Sequence, residues 1–335
     1  MKLPMKSRLL SSPRGRARGL TLVELMISLV IGMILMIAVV SAYLGSSGAS
    51  RMAEAQGRMN EDGQAALTIL AQQLRMAGNN PKQPNYTQAE PRNPVYGPLT
   101  YIVRGCDGTF TDITTAGVTI PNLTCAAGGG AAPDSIAISY EADIYNTIPT
   151  PPTAPSPNLP TDCLGQALAA VAPAPTPLIW NGALAVATPV TVYMADNRFY
   201  VGRTAVVKSP SLYCKGSGGA NPQPLVENIE DLQFTYGTSL ATATSTLAVS
   251  GYLTAADILT DPNLAALPDN PSRWSKVMTV RICVLVRSEQ PLVSDAASAQ
   301  YIKCDGTLEN NPPDLRLRRT YSTTVVLRNR ISGQS

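Results

Sequence analysis

The sequence predicts an α+β protein: a long N-terminal transmembrane helix packed on an antiparallel β-sheet head with long loops. Three observations predict it. A 20-residue run from Leu25 to Leu44 carries no charge, an apolar stripe at helical spacing continues that run to Gly78, and two-residue alternations recur between Ile136 and Leu327.

The uncharged run comes first. At about 1.5 Å per helical residue it spans roughly the 30 Å of a bilayer core. Lys2, Lys6, Arg8, Arg14, Arg16 and Arg18 precede it with no acid among them, which keeps the N-terminus cytoplasmic and sends the rest outward. An ordinary signal peptide is the competing reading. Its apolar core is only about 7–15 residues and ends at a small-residue cleavage site. Here Gly45-Ser46-Ser47-Gly48 leads instead into more helix-like sequence. Glu24, a carboxylate between Val23 and Leu25 at the mouth of the run, is costly there and needs a partner.

Beyond the run, Met52, Ala55, Met59, Ala66, Leu70 and Leu74 form one apolar stripe, with Arg51, Glu54, Arg58, Glu61 and Asp62 on other faces. Gly78 stands as the residue after the helix end, and Pro81 cannot continue it. One helix from Leu20 to about Ala77 is expected. Gly45, Gly48, Gly57 and Gly63 weaken it by about 1 kcal/mol each relative to Ala, so bending is expected there.

Residues 81–335 read as β-rich. Ile136, Ile138 and Tyr140 alternate with Ala137 and Ser139, and Leu232, Phe234 and Tyr236 alternate with Gln233 and Thr235. Val190–Met194 and Phe199–Val201 look like a hairpin turning at Ala195-Asp196-Asn197-Arg198. Met278, Val280, Ile282, Val284 and Val286 share one strand face, opposite Arg281 and Arg287. Tyr321, Thr323, Val325 and Leu327 form a last strand ending at Arg328-Asn329-Arg330. Nine prolines lie in the loop 149–177. It is either a linker between domains or a loop within one, and a loop is preferred because each half alone is short of strands.

Composition narrows the chemistry. The chain has no histidine, which excludes Ser-His-Asp and Cys-His machinery and imidazole-ligated zinc or haem. Residues 1–19 hold six of the 26 basic side chains and no acid, so the remainder carries 20 against 23, a net −3. Nucleic-acid binding has no general electrostatic support there. Cys106, Cys125, Cys163, Cys214, Cys283 and Cys304 all follow the membrane run. An even count on the exported side predicts up to three disulfides, with no CxxC pair for zinc or redox work. Fifteen pairings are possible, and pairing of sequence neighbours is expected.

Weaker candidates remain. Glu227, Glu230 and Asp231 read as a solvated strand edge rather than an acid/base pair. Arg316, Arg318, Arg319, Arg328 and Arg330 are a conceivable DNA-contacting stripe. Asp305, Glu309, Asn310, Asn311 and Asp314 are a poor calcium string, interrupted by Pro312 and Pro313. The echo between Cys106-Asp107-Gly108-Thr109 and Cys304-Asp305-Gly306-Thr307 reads as shared turn chemistry. No metal, cofactor or catalytic centre is expected.

The segment Arg18-Gly19-Leu20-Thr21-Leu22-Val23-Glu24-Leu25 resembles the processing site of type IV pilins and pseudopilins. The resemblance implies that residues 1–19 are a leader removed by a prepilin peptidase between Gly19 and Leu20. It further implies that Leu20 is N-methylated, although Leu20 stands where the family usually has Phe, and that Glu24 is the fifth mature residue. Glu24 would pair with such a new ammonium, on its own chain or a neighbour's. Residues 20–44 would then be the transmembrane part, 45–80 the periplasmic half of the helix, and 81–335 the periplasmic head.

Val226–Phe234, Trp274–Val277, Val280–Arg287 and Arg319–Arg330 are similar to PilW-type minor pilins, with related blocks in the J-type pseudopilin of type II secretion. Residues 81–220 match nothing recognisable. The implied function is to prime or cap type IV pilus assembly within a minor-pilin complex. Its partners would be other minor pilins, the major pilin, the prepilin peptidase, the inner-membrane assembly platform and membrane lipid. A type II secretion pseudopilin and a pilus-borne adhesin or DNA reader are the alternatives. The implied location is the inner membrane, single-pass with the head periplasmic, and then the pilus at or near its tip.

Overall fold

The computed structural model describes residues 19–331 apart from 84, 88–91, 93–100, 128–131, 153–157, 173, 205–206 and 243–247, and only the backbone at 330 and 331. The six basic leader residues and the Arg330 side chain lie outside the described residues. The chain divides into two compact units, Met1–Ala53 and Glu54–Ser335.

In the first unit, every side chain from Leu20 to Leu44 is exposed. These residues belong to α1 (Leu22–Met76), which among the described residues is the helix long and apolar enough to cross a membrane. The helix is unbroken at Gly45, Gly48, Gly57 and Gly63.

In the second unit, α1 changes character. Met59, Gly63, Ala66, Leu67, Leu70, Ala71 and Leu74 are buried, a stripe wider than the expected one by Leu67, Ala71 and Gly63. Each fully buried leucine contributes about 1.5–3 kcal/mol. Gly63 has a packing reason: a Cβ there would lie 2.5 Å from the Tyr321 ring. Gly78 ends the helix at φ +72°, where glycine avoids the usual Cβ penalty.

The strands of this unit are β1 (Val103–Cys106), β2 (Ser135–Ala142), β3 (Ala170–Val171), β4 (Leu178–Trp180), β5 (Ala185–Ala187), β6 (Val192–Gly202) and β7 (Ser211–Lys215). They continue with β8 (Gln223–Glu227), β9 (Ile229–Thr238), β10 (Gly251–Leu253), β11 (Val277–Arg287), β12 (Tyr301–Ile302), β13 (Leu308–Glu309) and β14 (Arg318–Val326). Short helices α2 (Ala255–Thr260) and α3 (Asn270–Trp274) precede β11, and α4 (Arg328–Ile331) follows β14. All pairing is antiparallel, but the single expected sheet is two. One runs β1-β2-β6-β7-β8 with β3 beside β6, and the other runs β10-β9-β11-β14; β4-β5 and β12-β13 are separate two-stranded ribbons. Asn228 alone separates β8 from β9, and its φ of 62° turns the chain from one sheet into the other.

Two expected elements change. The hairpin at Ala195–Arg198 is the middle of one eleven-residue strand, β6, paired along β2 from Phe199 opposite Ile136 to Tyr193 opposite Ala142. Its turn-like polar residues are each matched inside the fold. Asp196 pairs with Arg198 at 3.0 Å, and the Asn197 amide donates to Gln73 at 2.8 Å and to the Tyr140 hydroxyl at 3.1 Å. The last strand stops at Val326, because Asn329 is drawn away to cap α1. Its side-chain amide donates to the carbonyls of Arg75, Met76 and Ala77.

The proline loop holds one two-residue strand, β3, and part of it is fixed firmly. Asp162 accepts from the backbone N–H groups of Leu164, Gln166 and Gly218, and Cys163 bonds to Cys214. The other disulfides are Cys106–Cys125 and Cys283–Cys304, so all three join sequence neighbours and leave no free thiol.

Candidate functional site

Gly19 and Leu20 are exposed and non-helical immediately before the start of α1. Thr21 caps that start. Its hydroxyl accepts from the Glu24 N–H at 3.2 Å, while Glu24 Oε2 accepts from the Thr21 N–H at 3.0 Å and from the Thr21 hydroxyl at 3.1 Å. This reciprocal pair is a capping box, and it satisfies two N–H groups that a helix start would leave orphaned. The sequence reading missed it although the signal was present, a Thr-x-x-Glu directly before an apolar run. Among the described residues no hydrogen bond or ion pair reaches Glu24 Oε1. One carboxylate oxygen therefore serves the helix and the other is open to an external donor.

The remaining candidates resolve into internal structure. Glu227 accepts from the Ser209 hydroxyl, and Asp231 accepts from the Leu232 N–H and the Gln233 amide. Glu230 is not a solvated edge: it forms an ion pair with Arg318, whose side chain is fully buried and also reaches Asp314 at 2.8 Å. Arg316 pairs with Asp314, and Arg319 lies over the Tyr321 ring, so these arginines do not form an open stripe. Of the calcium string, Asp305 accepts from Thr307, Glu309 pairs with Lys303, and Asp314 is taken by the two arginines. The two Cys-Asp-Gly-Thr echoes share a positive-φ glycine, at Gly108 and Gly306. They diverge at the aspartate. Asp107 caps α2 by accepting from the Ala255 and Ala256 N–H groups, whereas Asp305 closes its own turn.

Of the charged side chains buried between residues 81 and 220, Asp134, Arg198 and Lys215 were not singled out by the sequence. Asp134 is 3% exposed and accepts from the Gly108 N–H at 3.0 Å and the Phe234 N–H at 2.8 Å, joining the β1 turn to β9. Desolvation pushes its carboxyl up to about 7, against the lowering effect of those two bonds. Arg198 donates to the carbonyls of Ile113, Thr115 and Val118, and Lys215 donates to those of Gly216 and Gly219. Both line a cavity of about 510 Å³ with the loop Thr115–Pro121. They bond loop carbonyls, and Arg198 bonds Asp196 as well, which makes them staples for the surrounding turns.

The assembled picture is a capped apolar helix carrying one half-used carboxylate, followed by a disulfide-stapled β head. Comparison with known families agrees at both ends. Residues 14–40 match the prokaryotic N-terminal methylation motif, and residues 198–329 match the type IV pilus-assembly protein W family, PilW. No curated protein and no solved structure matches the chain. The methylation motif covers Gly19, Leu20 and Glu24, while the PilW match runs from β6 through α4, taking in the whole second sheet. With a helix long and apolar enough to cross a membrane at one end and a pilus-assembly match at the other, the chain is similar to type IV minor pilins.

Proposed function

We propose that this chain is a structural, non-catalytic minor pilin that primes or caps a type IV pilus within a complex of minor pilins. In this reading the prepilin peptidase cuts between Gly19 and Leu20 on the cytoplasmic side and Leu20 is N-methylated. The helix then stays in the inner membrane, with the head periplasmic, until the assembly platform passes it into the filament near the tip. The major pilin and other minor pilins are its neighbours there.

The observation that carries the reading is the divided carboxylate of Glu24. Oε2 belongs to the capping box, and Oε1 is available to the ammonium that cleavage creates on a neighbouring subunit. Pairing recovers much of the cost of a carboxylate at an apolar boundary. Within one chain the new amine sits one helical turn away and points along the axis, so a staggered neighbour offers the better geometry.

Glu24→Gln separates the two roles. Glutamine still closes a capping box but carries no charge. We expect Glu24→Gln and Glu24→Ala both to be processed normally and both to be depleted from sheared pili. Incorporation of Glu24→Gln at the wild-type level would mean that the cap, and not the charge, is what matters. N-terminal sequencing should begin at N-methyl-Leu20; a start after Ser46 would overturn the processing site. A type II secretion pseudopilin would share the same N-terminus, and the PilW match favours the pilus. Deleting the gene should lower pilus number. Normal piliation with lost enzyme secretion would move the protein to the secretion system.

A further inference from the structure

Lys215 closes β7 with an ammonium that forms no ion pair among the described residues, although the residue is only 5% exposed. Its Nζ donates to the carbonyls of Gly216 and Gly219 at 2.6 Å and 2.7 Å, and no described group takes its third N–H. A buried ammonium without a counter-ion is costly. The carboxylates nearby are engaged elsewhere. Asp196 is held at both oxygens by Arg198, at 3.1 Å and 3.0 Å, and Asp162 accepts from the Leu164, Gln166 and Gly218 N–H groups. Burial and the Arg198 charge push the Lys215 ammonium's pKa down, against the opposing pull of Asp196 and Asp162.

Lys215 lines the cavity of about 510 Å³, a volume typical of small-molecule sites. Tyr101, Val118, Ile120, Val171 and Met194 give that cavity an apolar wall. The wall is fixed before any ligand arrives. Arg198 holds the carbonyls of Ile113, Thr115 and Val118, and Arg104 holds those of Ile120 and Pro121. Among the charged groups lining the cavity, Arg198 and Asp196 neutralise each other, which leaves one positive charge at Lys215. One surplus charge and one unused donor match a monoanion such as a carboxylate. A phosphate dianion would bring more charge and more acceptor oxygens than the site can satisfy. The apolar wall suits an aliphatic or aromatic body behind the carboxylate.

We propose that this cavity binds a small organic carboxylate, its anionic end on Lys215 Nζ and its apolar body against Val171, Met194 and the loop Thr115–Pro121. It rests on the head's own residues and goes beyond the pilus reading, so either can fail alone. The full chain in lipid nanodiscs is titrated with para-trifluoromethylbenzoate and followed by fluorine NMR, with empty nanodiscs as the blank. The neutral para-trifluoromethylbenzamide is the uncharged control. The benzoate should bind saturably above the blank, and the amide about tenfold more weakly, the loss of one charge-assisted hydrogen bond. Lys215→Met should bring the benzoate down to the affinity of the amide. Val171→Phe fills the cavity and leaves the Lys215 bonds to Gly216 and Gly219 in place, so it should weaken both probes even if Lys215→Met fails to fold. Benzoate that binds wild type no better than the blank overturns the proposal, as does benzoate that binds no better than the amide. Benzoate affinity unchanged in Val171→Phe or in folded Lys215→Met places the probe elsewhere and overturns it too.

Discussion

The two ends of α1 are one continuous helix in opposite circumstances. From Leu25 to Leu44 its side chains are uncharged and all exposed; from Met59 to Leu74 seven residues are buried within the second unit. The polar groups divide the same way. Oε2 of Glu24 is satisfied by Thr21, three residues away, whereas Gln73 is reached by Asn197 from 124 residues away. The contrast teaches that the first part of the helix finds no packing partner among the described residues, and the proposed function supplies one in lipid and then in neighbouring subunits. The second part has its partner within.

That contrast can be broken by perturbing one end and reading the other. The largest effect is expected from the Cys163–Cys214 bridge. Closing a separation of 51 residues, it stabilises the head by about 4 kcal/mol in the entropic model, and the bridges at separations of 19 and 21 by about 3 kcal/mol each. A Cys163→Ser/Cys214→Ser double variant should lose that amount in denaturant unfolding followed through Trp274, with N-terminal processing unchanged. Thiol titration of the denatured, unreduced wild type should find none free.

Truncating the helix itself sharpens the comparison. Leu70→Ala, at a fully buried position, should cost the head about 2–5 kcal/mol. Leu35→Ala removes the same atoms at a side chain 60% exposed, and should leave head unfolding within about 0.5 kcal/mol of wild type. Equal losses would mean that the two halves of α1 are not energetically separate.

The smaller effect concerns pH. Asp134 has its folded carboxyl raised to about 7, while the unfolded chain releases that proton near the ordinary 3.8. The folded state therefore binds the proton more tightly. Stability from this group is full below about pH 4, falls as pH rises from there, and is lost above about pH 7. Asp134→Asn should flatten that slope in unfolding curves measured from pH 5 to pH 8. Glu24, at the other end of the molecule, should contribute nothing to it.

Several parts of this protein were legible in local sequence for a simple reason. A membrane span, a helix stripe and a glycine stop at Gly78 all depend on residues a few positions apart, as does the Thr-x-x-Glu cap that went unread. The disulfide partners were approachable too, since all three bridges join neighbouring cysteines. What the sequence could not show depended on distant contacts. Asp196-Asn197-Arg198 reads as a turn in isolation and becomes mid-strand only because Gln73, Tyr140 and the 113–118 loop supply partners. Arg328-Asn329 reads as strand and becomes the cap of a helix that ended some 250 residues earlier. Glu230 reads as solvated until Arg318 reaches it from 88 residues away. The reason is physical: a polar group strongly favours a buried place only when its partner is already there, and tertiary structure alone delivers that partner.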